Sequence, residues 1–416
     1  MEMKMIGLSD EQKQMQQLCR DFVDKEVIPF VRNNREREWT VPGHERQPWE
    51  LLRAADKLGL RSLGVPEEYG GIKFEAQAQT FALIAEELAR GDSGFADIMG
   101  QIWKVPVLLS HIAPPHLQDV WFPRFMEDPT FLMAHALTEP RGASDRWLPY
   151  NVPEANMHTK AVFKDGCWVI NGRKQFITNG YDAKLYVVYA NTNPNVGIAD
   201  GTSSFLVPRN TPGLIPTRVN EKIGARYMNN GEIVFEDCRV PEDHLLVKDV
   251  ALKRAGVYFS PGKILQAAKN LGVGVAAYEE TAAYVQQYVQ GGRTLIKHQA
   301  VANAVAGMAI QLETVRAFTR YAARALDEGA SDASTLTLMA KVYAADAVFD
   351  VCKTAMELHG GSGVMIEVGI EKHFRDAAMF LHMDGTQDIH RFKIVKSMFP
   401  DTAGMYAGPE ESLLVQ

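Results

Sequence analysis

Apolar positions up to about residue 130 recur at helical spacing. Met15, Leu18, Phe22, Val23 and Val27 share one face, and Ser9 with Gln12 has the form of a capping box that opens the helix. "PWELLRAADKLGL" predicts a second amphipathic helix, which runs into the Pro- and Gly-rich turn "GVPEEYGGI". "FEAQAQTFALIAEELARG" predicts a third, stopped by Gly91, after which Asp92 is placed to cap the next.

The period changes over roughly 134–248. "HTKAVFKDGCWVINGRKQFITNG" is rich in β-formers, and its Asp165-Gly166 and Asn171-Gly172 pairs predict two tight hairpin turns. "KLYVVYANT" and "SSFLVP" are further strands, joined by a polar loop containing Asp200-Gly201, and "GEIVFEDCRVP" is another that ends at Pro241. Short antiparallel strands at this spacing predict a small barrel or sandwich. The helical period then returns. "ILQAAKNLGVGVAAYEETAAYVQQYV" is Ala- and Gly-rich, so neighbouring backbones can approach it closely. Val301, Val305, Met308, Leu312 and Val315 form a coiled-coil-like seam, and "STLTLMAKVYAADAVFDVCKTAMELHGG" is a long helix ended by Gly360-Gly361. These stripes read as bundle core. The predicted class is mainly α with a central antiparallel β unit. It divides into a helical domain (1–133), a β domain (134–250) and a helical bundle (251–416).

Composition narrows the function classes. Hydrophobic residues make up 46% of the 416 and charged residues 23%, an ordinary globular balance. The net charge of −7 argues against nucleic acid and anionic membrane as partners. Cys19, Cys167, Cys238 and Cys352 show no CxxC spacing, so isolated thiols are expected rather than zinc or disulfides. No metal-ligand spacing, P-loop or strand-borne GxGxxG occurs, and no metal is expected. The N-terminus has no signal-peptide pattern and no apolar run is long enough to span a bilayer, so the expected location is the cytoplasm.

The chemistry concentrates in "FLHMDGTQDIHRFK", residues 380–393. Asp384 sits between an apolar flank (Phe380, Leu381, Met383) and Gly385-Thr386. By itself the pair reads as an Asp-Gly turn or helix cap. The alternative is a carboxylate held in a dry pocket as a base, its pKa raised by desolvation.

Four further stretches bear on that choice. "HALTEPRGASD" (135–145) resembles the first signature of the acyl-CoA dehydrogenase family, and "GRKQFITNG" (172–180) its NGxKxWITNG element. "EKIGARYMNNGEIVFEDCRVPEDHLL" (221–246) is similar to KxGxRxS…FEDVxVP, and "ELHGGSG" (357–363) to QxHGGxG. The 380–393 stretch resembles the second signature, in which an acid precedes Gly-Thr. The resemblance implies an N-terminal helical domain, a middle β-barrel and a C-terminal four-helix bundle. It further implies FAD as cofactor, an acyl-CoA substrate, a homotetramer, and reoxidation by an electron-transfer flavoprotein. The implied reaction is α,β-dehydrogenation: a base takes the α-proton and a hydride leaves the β-carbon for flavin N5.

Residue by residue, the resemblance makes Asp384 the base, with its own backbone N–H as a donor to the thioester oxygen. It places Leu137, Thr138, Phe176, Thr178 and Thr386 by the flavin, and Ser144 by the FAD pyrophosphate and the substrate. Gln299, Gly360 and Gly361 would meet FAD across a subunit interface. Gly385 and Lys263 would adjoin the CoA thioester, Lys263 where many members hold Arg; an exposed helix lysine is the plain alternative. Phe176 stands where Trp is usual, and a strand aromatic packed inside the β unit is its plain alternative. Asp97 falls on the helix that lines the family's acyl pocket and is otherwise a solvated helix acid. Most members carry Glu at the base position. Asp there, with Asp97, suggests an alicyclic, branched or otherwise unusual acyl group. Tyr288 and Gly291 replace the family's usual Arg and Phe near a neighbour's FAD, and Glu357 replaces Gln. Two rivals keep the same fold: a flavin oxidase or monooxygenase of the nitroalkane-oxidase type, and a non-catalytic flavin- or CoA-binding homologue.

Overall fold

The computed structural model describes residues 7–141, 145 and 151–399. The N-terminal helices are α1 (Asp10–Phe22), α2 (Ile28–Asn33), α3 (Arg37–Thr40), α4 (Trp49–Lys57), α5 (Gln77–Gly91), α6 (Ser93–Ile112) and α7 (Pro115–Glu127). The Ser9 capping box forms as expected: Gln12 N donates to Ser9 Oγ at 3.2 Å, and Ser9 N donates to Gln12 Oε1 at 3.1 Å. Gly91 is not a left-handed stop. α5 ends because Asp92 turns extended (φ −162°, ψ 127°) and accepts from Phe95 N at 2.7 Å, which starts α6.

The middle strands are β1 (Met133–Ala136), β2 (Lys160–Lys164), β3 (Cys167–Thr178), β4 (Leu185–Asn191), β5 (Thr202–Pro208), β6 (Leu214–Val219), β7 (Asn230–Pro241) and β8 (Leu245–Val247); the short helix α8 (Ile198–Gly201) precedes β5. The sheet order is β6-β7-β3-β2-β4-β5-β8, with β1 parallel to β4. It does not close, so "barrel" describes it loosely. The Asp165-Gly166 hairpin forms, with both residues left-handed (φ 52° and 74°). The second expected hairpin does not. β3 runs straight through Asn171-Gly172, where Gly172 (φ 147°) marks a bulge against β7. A Cβ there would lie 2.6 Å from Thr159 Cα, so close backbone approach explains the glycine.

The C-terminal part contains α9 (Ala251–Arg254), α10 (Gly256–Gln287), the small hairpin β9 (Val289–Gln290) and β10 (Arg293–Thr294), α11 (Gln299–Asp327), α12 (Ala333–Leu358), α13 (Ile370–Phe380) and α14 (Gln387–Met398). α10 is the central rod, packed against α5, α6, α11, α12 and α13. Met308, Leu312 and Val315 of the predicted seam are buried, while Val301 and Val305 are half-buried. The two helical regions share one core, which β4 joins through alternate residues. Leu185, Val187 and Tyr189 pack toward the helices; Tyr186, Val188 and Ala190 pack into the β domain's own core.

A buried ionic hub locks the three regions together just before the 380–393 turn. Lys372 Nζ on α13 lies 2.9 Å from Glu38, 3.0 Å from Asp92 and 2.9 Å from Asp376. Asp376 also accepts from Ala225 N at 2.7 Å, in the segment before β7. Burial disfavours the Lys372 ammonium, yet the three carboxylates together hold its pKa well above the ordinary lysine value.

Candidate functional site

α13 ends at Phe380 and α14 begins at Gln387; Asp384 and Gly385 reverse the chain between them at φ 55° and 106°. Aspartate tolerates the left-handed region better than most side chains. A Cβ on Gly385 would meet His390 Cε1 at 2.9 Å, so that position needs glycine for space as well as for φ. Two buried lysines clamp the turn through its carbonyls. Lys263 Nζ donates to Asp384 O at 2.7 Å; Lys341 Nζ donates to Gly385 O at 3.2 Å and to Gln387 Oε1 at 2.8 Å. Thr386, not Asp384, is the N-cap residue of α14. Asp384 is thus a turn residue, and the turn aims its carboxylate at the cleft between α6 and α10. There Gln266 Nε2 donates to Asp384 Oδ2 at 3.2 Å, and Lys104 Nζ stands 3.7 Å from the same oxygen. The Asp384 N–H has no backbone or side-chain acceptor among the described residues, which leaves it open to a ligand oxygen.

The expected upward shift of Asp384 is reversed. Burial pushes its carboxyl up, but Lys104, Lys263 and Lys269 with the Gln266 amide outweigh it, holding it far below the usual carboxylate range. The apolar flank is real, yet cations from distant segments decide the sign. Asp97 behaves oppositely: burial raises it despite the opposing pull of Lys269. It is no solvated helix acid. It is 4% exposed, Lys269 Nζ donates to its Oδ1, and its Oδ2 is buried without a hydrogen-bond partner. One turn apart on the same face of α6, Asp97, Gly100 or Gln101, and Lys104 line the cleft. Gln101 accepts from Tyr258 Oη at 2.9 Å, and Tyr258 lies 4.7 Å beneath the Lys104 ammonium.

His135 on β1 stacks on Tyr258 at 4.0 Å, which ties the β domain to this cleft. Two residues on, a second buried pair fixes the backbone. Lys174 Nζ donates to Leu137 O at 3.0 Å and to Glu139 Oε1 at 2.8 Å; Glu139 also accepts from His158 N and Thr159 N. Burial pushes Glu139 up, but Lys174 and these donors bring it below its ordinary value. Gln175 N donates to Thr138 O at 2.9 Å, so the half-buried Thr138 is held beside Phe176. Phe176 has φ 57° at a bulge of β3 and is 55% exposed. A bulky residue in the left-handed region is strained. Here the strain presents a bare aromatic face, so packing inside the β unit is ruled out. A rigid backbone edge at Leu137–Thr138, a neighbouring open ring face and the half-buried Thr178 hydroxyl fit a flat, polar-edged cofactor.

Other expected residues are placed differently. Gln299, Gly360 and Gly361 are exposed. The end of α12 lies by the far end of α10, where Tyr284 stacks on His359 at 4.2 Å. That is about 27 Å along α10 from Gln266 at 1.5 Å per residue. One chain therefore does not bring them to Asp384. Ser144 lies outside the described residues. Lys263 is not an exposed helix lysine: it is 3% exposed and engaged on the turn. Lys104, Gln266, Lys269 and Lys341 were missed by motif reading. A signal existed, since Lys104, Lys269 and Lys341 are lone cations inside otherwise apolar helical runs ("QIWKVPVLL", "LQAAKNLGV", "LMAKVYAA").

The family described as acyl-CoA dehydrogenase matches the chain as an N-terminal domain over 9–127, a middle domain over 134–238 and a C-terminal domain over 252–399. A cyclohex-1-ene-1-carbonyl-CoA dehydrogenase of Geobacter metallireducens is 34% identical, covering 93% of this chain and 97% of the relative. An acyl-CoA dehydrogenase of Bacillus subtilis is 30% identical, covering 95% and 100%. The structure of butyryl-CoA dehydrogenase from Megasphaera elsdenii superposes with a TM-score of 0.85 at 27% identity, covering 95% of this chain and 100% of that one.

Proposed function

The chain belongs to the acyl-CoA dehydrogenase family, and from that premise we propose that it oxidises an alicyclic, branched or otherwise unusual acyl-CoA with Asp384 as base. The observation that carries the reading is the Asp384 carboxylate, aimed by a clamped turn into a cleft floored by the buried Asp97–Lys269 pair. A charged floor disfavours a long apolar chain, because burying alkyl carbon against ions strips their hydration without replacing it. Asp384 takes the α-proton and its N–H donates to the thioester oxygen as charge gathers there. Bound FAD supplies the acceptor, at N5, for the β-hydrogen leaving as hydride. Leu137, Thr138, Phe176, Thr178 and Thr386 hold the flavin; Ser144 serves its pyrophosphate; Gln299, Gly360 and Gly361 belong to the contact with a partner subunit. Gly385 gives the thioester close access. The assembly is a homotetramer that works in the cytoplasm and passes its electrons to an electron-transfer flavoprotein.

Anaerobic titration of the flavin-loaded protein with linear, branched and cyclic acyl-CoAs tests this. Bleaching of the flavin band is expected, strongest with compact or cyclic chains. No bleaching with any of them would defeat the reading. Asp97→Asn should lower the reduction rate with cyclic thioesters by at least ~10-fold. Because that change strands Lys269, the double variant Asp97→Asn with Lys269→Met is measured beside it, since removing both charges is far less disruptive than removing one. Unchanged turnover of every cyclic acyl-CoA by both variants would take Asp97 out of the pocket's chemistry.

A further inference from the structure

Four buried lysines surround the Asp384 turn, and three are matched to oxygens. Lys263 holds the Asp384 carbonyl, Lys269 holds Asp97, and Lys341 holds Gly385 O and Gln387 Oε1. Lys104 differs. Its side chain is 7% exposed, yet no hydrogen-bond acceptor lies within reach among the described residues. Asp384 Oδ2, at 3.7 Å, is beyond hydrogen-bond range, and the Tyr258 ring offers only its face. An ammonium has three donors, and Lys104 gives none of them to an acceptor among the described residues, so an entering group that supplies one is favoured.

We propose that Lys104 recognises an anionic group on the acyl chain, so that the substrate class is a short or cyclic acyl-CoA bearing a carboxylate beyond its β-carbon. This rests on the reading of the cleft as the acyl site. Charge favours it: Lys104, Lys263 and Lys269 all act on Asp384, so on this side of the turn the cations outnumber the carboxylates Asp384 and Asp97. Gly262 of α10 borders both groups: a Cβ there would stand at contact distance, 3.8 Å from Lys104 Nζ and 3.8 Å from Asp384 Oδ2, so the glycine keeps side-chain bulk off the flank of the pair that a ligand would approach. The arrangement also couples recognition to chemistry. Lys104 is the strongest charge weakening Asp384 as a base. An acyl carboxylate that takes up Lys104 screens it from Asp384, and the base strengthens only when the matching substrate is bound.

The test compares glutaryl-CoA with valeryl-CoA, a neutral chain of the same carbon count, on the flavin-loaded enzyme, by anaerobic flavin reduction. Wild type is expected to favour glutaryl-CoA by ~10–100-fold in kcat/KM, the worth of one charged hydrogen bond. Lys104→Met should bring that ratio close to one, and Lys104→Arg should restore part of it. Equal wild-type rates, or an unaltered ratio in Lys104→Met, would overturn the proposal while leaving the dehydrogenase reading intact. If Lys104→Met does not fold, the wild-type ratio and Lys104→Arg decide: no preference for glutaryl-CoA counts against it. Failure of every acyl-CoA to reduce the wild-type flavin would remove both readings.

Discussion

Asp384→Asn is expected to keep its flavin and lose flavin reduction by acyl-CoA by about 10²–10⁴-fold, the usual worth of a positioned general base. The substitution is nearly isosteric. Asn tolerates the left-handed backbone as Asp does, and the Lys263 bond to the residue 384 carbonyl is untouched. Gln266 can still pair with an amide, and the backbone N–H stays in place. Only the charge that accepts the proton is gone. Bound flavin absorbance and thermal midpoint report folding; rapid anaerobic mixing reports the reduction step. Wild-type rates in this variant would sink the assignment of Asp384. The pH profile follows from the sign of the shift. A lowered carboxyl stays ionised as pH falls, so kcat/KM, which reports the free enzyme, should show no acid limb from this group until below the ordinary aspartate value near ~3.9. An acid limb at neutral pH that vanished in the Asn variant would contradict the electrostatics of the turn.

The second large effect is on stability. Lys372→Met should cost about 3–5 kcal/mol, because it strands buried carboxylates around a vanished cation. Arg375, 3.3 Å from Glu38, remains as a nearby cation, and Arg226 also acts on Glu38. Wild-type Lys372 has a raised pKa, so its contribution is complete at neutral pH and fades only as pH rises beyond the ordinary lysine range. The variant should behave differently. With the cation gone, burial pushes Asp92 and Asp376 up, and the folded state binds more protons than the unfolded one. Its stability should therefore fall as pH rises from about 4, the unfolded carboxylate value, toward neutrality. Chemical denaturation of both proteins at pH 5 and pH 8 measures this. A loss that is small and independent of pH would mean that the hub is not the lock described. Since Lys372 and Asp376 sit on the helix that leads into Asp384, flavin reduction should weaken along with stability.

Much of this was open to reading from one dimension. The Ser9 capping box, the strands around Asp165-Gly166, the buried half of the Met308–Val315 seam and the left-handed end at Gly360 follow from residues a few positions apart. Asp384 stands out in the sequence as the candidate base because Gly385 and Thr386 follow it directly. Asn171-Gly172 shows where local chemistry misleads. The same dipeptide that makes a hairpin also suits a bulge, and the choice fell to the approach of Thr159 from another strand.

The sequence by itself determined the kind and order of the elements, the family, and which acid stands before Gly-Thr, because periodicity and motif spacing are properties of neighbouring residues. Tertiary structure alone decided the charge around that acid. Gln266 meets Asp384 across 118 positions, and Lys269 meets Asp97 across 172. Coulombic interaction depends on distance through space and falls slowly in a buried cleft. A carboxylate's strength as a base is therefore a sum over groups that the linear order keeps apart.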